Sequence, residues 1–122
     1  MNSRERVRKA LNHETTDRVP IDLGATVVST IHAGAYKKLR EKLGLKEKMV
    51  ITSDPLLMTT HLDMDVLEAL EVDCIGLYGL YNSIGIKNEN YKEWELPQGL
   101  KVGVPGDFNV SYNKDGSVMA YA

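Results

Sequence analysis

The chain has 122 residues, 43% of them hydrophobic and 26% charged, and its fifteen basic and seventeen acidic residues give a formal net charge of -2. That is a globular composition, and it offers no basic field for a nucleic-acid backbone, so that partner class is excluded. The single cysteine, Cys74, excludes an internal disulfide and suits a reducing, cytoplasmic setting, while no stretch approaches the roughly 20 apolar residues of a membrane span.

Ser3 is placed to cap a first helix whose Val7, Ala10 and Leu11 share one face. The helix should end near Asn12–His13, ahead of the polar turn Glu14-Thr15-Thr16-Asp17. Pro20 holds Val19 extended, and Val19 to Leu23 reads as a strand closed by Gly24. Ser29 or Thr30 can cap a second helix with the stripe Ile31, Ala35, Leu39 and Leu43. Its C-terminal half is rich in Lys and Arg, as the macrodipole favours, and Gly44 suits the position just past its end. Met49 to Thr52 reads as a short extended piece. Asp54-Pro55 reads as a cap with proline at the first helical position, opening a turn through Leu56–Thr59. Asp65-Val66-Leu67-Glu68 is an aspartate variant of the capping box, starting a helix to about Glu71. Val72 to Leu77 is a second strand, nearly all apolar after Asp73, as interior parallel strands are. From Tyr91 the pattern changes to two hairpins. YKEWEL and LKVGV flank Pro97-Gln98-Gly99, and FNVSY and SVMAYA flank Asn113-Lys114-Asp115-Gly116, giving an antiparallel meander.

This order predicts an α/β fold, the N-terminal part of a (β/α)8 TIM-type barrel with an added antiparallel β-meander. Residues 1–90 would be the barrel start and residues 91–122 the hairpins of a single incomplete domain. A closed barrel needs roughly 250 residues, and two parallel strands alone leave bare edges. The expectation is therefore a fragment completed by the remainder of its own barrel or by a second chain, with a homo-oligomer expected.

Asp22, near the C-terminal end of the first strand where barrels carry their chemistry, is a catalytic candidate. Its alternatives are to cap the loop at 24–30 or to pair with Arg18. His32, in the first turn of the second helix, is the other catalytic candidate, because an imidazole titrates near neutrality; the alternative is a solvated helix residue. Thr26 in the intervening loop, with Tyr78 and Tyr81 just past the second strand, are candidate substrate contacts. For the aromatics, Trp94 included, the alternative is packing between barrel and meander. His61-Leu62-Asp63-Met64-Asp65 alternates polar groups, but a metal needs further ligands and Asp65 is better placed as a cap. Cys74 stands alone, so no metal site is assigned. Gly103 to Gly106 lacks the spacing and following helix of a phosphate loop.

Four stretches in order carry a resemblance: RERVRKALNHETTDRVPIDLG, AYKKLREKLGL, DMDVLEALEVDCIGL and EWELPQGLKVGVPGDFNVSYNKDGSVMAYA. Together they resemble the uroporphyrinogen decarboxylase superfamily, in particular its branch near the corrinoid-dependent methyltransferases. The resemblance implies an eightfold barrel with extra N-terminal helices, of which this chain matches the first part. It implies an enzyme that moves a methyl group between a methylated small molecule or corrinoid protein and a thiol, with polar residues after the first strand contributing to the substrate cavity. The family's zinc-activated thiolate has its ligands in the later part of the barrel. This chain would then hold no cofactor and be inactive alone, with zinc and a corrinoid partner belonging to the full-length parent.

Decarboxylation of a porphyrinogen is the alternative within enzymes, and two departures count against it. The position matching the decarboxylases' catalytic aspartate falls at about Leu80, and Ser53-Asp54-Pro55 stands in the wrong order to replace it. The arginine-rich segment that follows their first strand has no counterpart, since Leu23 to Ile31 contains no basic residue. From a different class, a non-enzymatic assembly module would pair Tyr91–Ala122 with another chain.

Overall fold

The structure, a computed structural model, describes residues 1–96 and 99–121. Asn2 rather than Ser3 caps the first helix: its side chain accepts the Glu5 N–H, and α1 runs Ser3–Leu11. This helix docks by a cation instead of an apolar stripe, since Arg6 is its buried residue while Leu11 remains 75% exposed. Arg6 donates through Nε (2.7 Å) and Nη2 (2.9 Å) to Asp17, and through Nη1 to Asp73. Arg18 donates to Asp73 at 2.6 Å, and the Ile21 N–H reaches the same carboxylate at 2.9 Å. The Asp73 side chain is shielded completely from solvent. A carboxylate so placed is tolerable only when its lone pairs are matched by donors and opposite charge, and here they are.

This cluster stands where the sequence pattern predicts two parallel strands. Residues 19–23 and 72–77 meet, but neither forms a strand. The Asp73 N–H does reach the Ile21 carbonyl at 2.8 Å. The Ile21 N–H, which a parallel ladder would give to a carbonyl, is instead accepted by the Asp73 carboxylate. Among the described residues, the N–H groups of 74–79 then make no hydrogen bond. The expected N-terminal part of a TIM-type barrel is therefore overturned. The described residues form three helices and six short strands, which pair antiparallel in three separate two-stranded ribbons.

β1 (Thr52–Asp54) pairs with β2 (Thr59–Thr60). Between them Asp54 Oδ1 accepts the N–H groups of Leu56 (2.8 Å) and Leu57 (3.1 Å), as expected of a cap before Pro55. β3 (Lys92–Glu95) pairs with β4 (Lys101–Val104), and β5 (Asn109–Tyr112) with β6 (Val118–Tyr121). The turn expected at Pro97-Gln98 lies outside the described residues. The hairpins do not join into a meander: β4 and β5 do not pair with each other, and Pro105, with no N–H to donate, follows β4 directly. β4 meets the β1 region instead, through a single parallel bridge between Ile51 and Gly103. There the Gly103 N–H donates to Val50 at 2.7 Å, and the Thr52 hydroxyl donates to Gly103 at 3.0 Å. A Cβ on Gly103 would stand 2.6 Å from Ile51 Cδ1, so glycine permits this contact.

α2 spans Ala33–Lys42, with Gly44 in the left-handed region as expected (φ +66°). Its fully buried residues are Ala33, Tyr36 and Arg40; of the predicted stripe, Ile31, Leu39 and Leu43 pack half-buried against the core, while Ala35 faces solvent. α3 spans Met64–Ala69, and Asp65 does not cap it. The Asp65 carboxylate receives two bonds from Arg40, at 2.8 and 2.9 Å. Asp63 accepts the Tyr36 hydroxyl (2.7 Å) and Arg40 Nη1 (2.9 Å), while the Tyr36 oxygen accepts the Asp63 N–H at 2.8 Å. The apolar core gathers Ala33 and Tyr36 with Val50, Val66, Ile86, Leu96, Val102, Val104 and Phe108. Val72 to Leu77, predicted to be interior, lies outside it.

Two outcomes follow from these clusters. Arg6 holds Asp17 well below the usual carboxylate range. Asp73 is held there too: burial pushes upward, but the Ile21 N–H, the Ser3 hydroxyl, Arg18 and Arg6 outweigh it. A carboxyl that is more acidic when folded stabilises the protein above its unfolded pKa and loses that contribution as pH falls toward its folded value. Urea midpoints are therefore expected to fall most steeply below about pH 4, and Asp73→Asn to lower the midpoint at pH 7 while flattening that acid limb. Tyr36→Phe, which orphans the Asp63 N–H, is expected to cost about 1–3 kcal/mol in the same assay.

Candidate functional site

Three segments converge beside Asp22: the loop at 24–30, the extended run 72–78, and His61-Leu62 at the end of β2. Gly24 is the meeting point. It is buried at φ +93°, and its N–H closes the loop on the Ser29 carbonyl at 2.8 Å. A Cβ here would lie 2.9 Å from Leu62 Cδ1. Across from it, a Cβ on Gly76 would stand 2.7 Å from the Gly24 carbonyl oxygen and 3.0 Å from that of Ala25. The chains approach so closely because both positions are glycine. Tyr78 then ties the segments together, donating its hydroxyl to the Gly24 carbonyl while its ring meets His61 edge-on, centroids 3.7 Å apart and planes at 84°.

The predicted residues divide. Asp22 and Tyr78 are brought to one place, since burial first and then the Asp22 charge push the Tyr78 phenol up. The Cys74 thiol is raised by burial, then by Asp22 and Asp73, so it too borders the carboxylate. Asp22 is exposed and caps the loop, Oδ1 accepting the Ala25 N–H at 3.0 Å; Arg18 pairs with Asp73 rather than with Asp22. Thr26 is exposed on that loop, its hydroxyl 3.0 Å from that of Ser29. His32 is no part of the group: it is the cap of α2, Nδ1 accepting the Gly34 N–H at 3.1 Å. Tyr81 is exposed and bridges to Lys87, and Trp94 packs edge-on against Phe108 with centroids 5.6 Å apart.

His61 is the member that sequence reasoning missed as part of this group. It is half-buried, and burial lowers its pKa from the ordinary 6.5. It is therefore mainly neutral at pH 7 and able to accept a proton. The only forewarning lay in Gly24 and Gly76, which mark a close backbone approach without naming the side chain beside it. Chemically, the group combines an open carboxylate, a tethered phenol, a thiol and a neutral imidazole. Two of the segments that carry it also expose apolar side chains, Val28 84% and Leu77 97%.

Among the described residues no group of three or more His, Cys, Asp or Glu side chains could hold a metal ion. None of the described helices is long and apolar enough to cross a membrane. An open hollow of about 560 Å³ lies elsewhere, against α2, lined by residues including His32, Lys37, Lys38, Glu41 and Leu100; neither Asp22 nor Tyr78 borders it. No family model, no curated protein and no solved structure matches the chain.

The glycine contact is open to a direct check. Gly76→Ala must push the 24–25 backbone away, and overpacking of this kind costs about 1–3 kcal/mol. Thermal unfolding should show a lowered Tm, with a smaller effect for alanine at Gly85, where a Cβ meets nothing within 4 Å although φ is +78°.

Proposed function

We propose that residues 1–122 belong to a methyl-transferring enzyme similar to the uroporphyrinogen decarboxylase superfamily near its corrinoid-dependent methyltransferases, and supply its substrate-side surface around Asp22 and Tyr78. The observation that carries this reading is the exposure of the two segments that meet beside Asp22. Val28 on the loop at 24–30 and Leu77 on the 72–78 run stand in solvent, and Asp22 is an open carboxylate; exposed apolar surface marks a binding face. Such a surface suits a small, weakly charged substrate and a protein partner that seals it from water.

It suits a porphyrinogen octa-acid poorly. Carboxylate recognition calls for arginine forks, and the guanidiniums beside the site are engaged internally, Arg6 on Asp17 and Asp73 and Arg18 on Asp73. On this reading Asp22 holds the polar end of the substrate and the apolar side chains of the two segments exclude water. Zinc would supply an activated thiolate in such an enzyme. The described residues do not fit it, since Cys74 has no second cysteine beside it. No step in this chain runs through the metal; its ligands, and the contact with a corrinoid protein, belong to other residues. The chain by itself is inactive, and the free thiol accords with a cytoplasmic setting.

A second reading, an assembly module completed by another chain, is favoured by the β5–β6 ribbon, which pairs with no further strand among the described residues.

The test is an assay of the full-length gene product carrying this sequence, with methylcobalamin as donor and dithiothreitol as acceptor. Methyl transfer is expected, with Asp22→Asn lowering kcat/KM about tenfold or more. Porphyrinogen decarboxylation without methyl transfer would overturn the proposal, and a stable 122-residue oligomer with neither activity would establish the module instead.

A further inference from the structure

Exposure alternates residue by residue from Cys74 to Gly79: 74, 76 and 78 are half-buried, while 75, 77 and 79 stand in solvent. That is the period-two pattern of a strand, yet nothing pairs with it. The carbonyls of 74–78, like the N–H groups of 74–79, have no hydrogen bond to the described residues. Successive backbone groups of such a run point to opposite edges, so one bond fixes which edge is which. The Asp73 N–H is given to Ile21 at 2.8 Å. The odd-numbered groups therefore face the segment 19–25, and the even-numbered groups face away from it.

This outward edge is bounded at both ends. The Val72 N–H is taken by the Leu67 carbonyl at 2.9 Å, and the Leu80 carbonyl takes the Asn88 N–H at 2.8 Å. Between them Cys74, Gly76 and Tyr78 are open in both donor and acceptor.

We propose that this edge pairs with the same edge of a second copy of the chain, antiparallel, about a two-fold axis at Gly76. The register follows from the open groups. With Gly76 opposite Gly76 of the second copy, Cys74 meets Tyr78 and Tyr78 meets Cys74, so every open donor finds an open acceptor. A slip of two residues in either sense sets an already engaged group, on Val72 or Leu80, against one of them. On the exposed face Ile75 (63% exposed) then lies across from Leu77 (97% exposed), at the close spacing where apolar pairs stabilise a ladder.

Charge selects the occupant. Self-pairing sets each side chain within a few positions of its own copy, so a charge in the run would face its like. Residues 74–86 contain none, and the Asp73 carboxylate is matched by Arg6 and Arg18. The contact is isologous: each copy spends its outward edge on the other, and assembly closes at two. The edge is short, which puts the dimer in the weak, transient class. The pairing does not depend on methyl transfer, because no reacting group takes part in it.

Sedimentation of the chain over a concentration series, with amide exchange, tests this. The average mass is expected to rise from 13.6 kDa toward twice that value. As it rises, the N–H groups of 74, 76 and 78 should gain protection while those of 75 and 77 do not. Leu77→Lys or Ile75→Glu, both at exposed side chains, should weaken the dimer about tenfold or more. Leu11→Lys on α1, 75% exposed, should leave it unchanged. Mixing L77K with I75E chains should restore association, because in the mixed pair the two introduced charges are opposite in sign and face each other. A chain that stays monomeric throughout overturns the proposal, as does a mass that climbs past the dimer without limit. It is overturned equally by a dimer that protects residues 109–121 instead, or by variants that mixing does not rescue. Should either variant fail to fold, the alternating protection in the wild-type chain decides alone.

Discussion

A single buried carboxylate, that of Asp73, sets the architecture of the N-terminal half. Fully shielded from solvent, it requires donors on every side, and it takes them from three distant places in the chain: Arg6 on α1, Arg18 on the following loop and the Ile21 backbone. Satisfying it fixes the position of α1, whose apolar face is only half-buried at Val7 and Ala10 and exposed at Leu11. The same requirement withdraws the Ile21 N–H from ladder formation and leaves the 72–78 run lying beside the loop at 19–25, held by side chains. The contact that carries the candidate site, Tyr78 on Gly24, exists because Asp73 has already brought those two segments together.

The C-terminal side of α2 repeats the device. Arg40 bridges Asp63 and Asp65 while Tyr36 shares Asp63, joining α2 to the start of α3. Between these polar clusters lies a small apolar core of α2, α3, Val50 and the β3–β4 ribbon. Breaking either cluster leaves a charge without its partner, which is more disruptive than never having buried one. The fold is thus fastened at two ionic points, and the site sits beside the first of them, outside the apolar core.

What the sequence disclosed was local. Asn2 lies one residue from the predicted cap, and the turn opened by Asp54-Pro55, the left-handed Gly44 and the hairpin pairings after Tyr91 are all fixed by neighbours within a few residues. The errors share a cause: each involves a polar side chain reaching far along the chain. Asp73 looked like the polar edge of an apolar strand, but its partners lie 55 and 67 residues away. Asp65 had the spacing of a cap, yet a guanidinium 25 residues distant takes it. Arg6, which no sequence pattern singled out, is the buried residue of α1. Of the site, Asp22 and Tyr78 were visible as polar groups next to chain turns. His61 was not, because its neighbour Tyr78 lies 17 residues away and no spacing rule connects them.

Residues 74–86 carry no charged side chain, and within this neutral stretch the N–H groups of 74–79 have no hydrogen bond to the described residues while Leu77 stands almost wholly in water. Open donors, alternating apolar side chains and the absence of repelling charge make a template on which a further extended segment grows. A net charge of -2 gives copies of the molecule little mutual repulsion to keep such stretches apart. Left uncapped at high concentration, this stretch is the natural seed for fibrous association, and a lysine or proline placed within it would act as a gatekeeper.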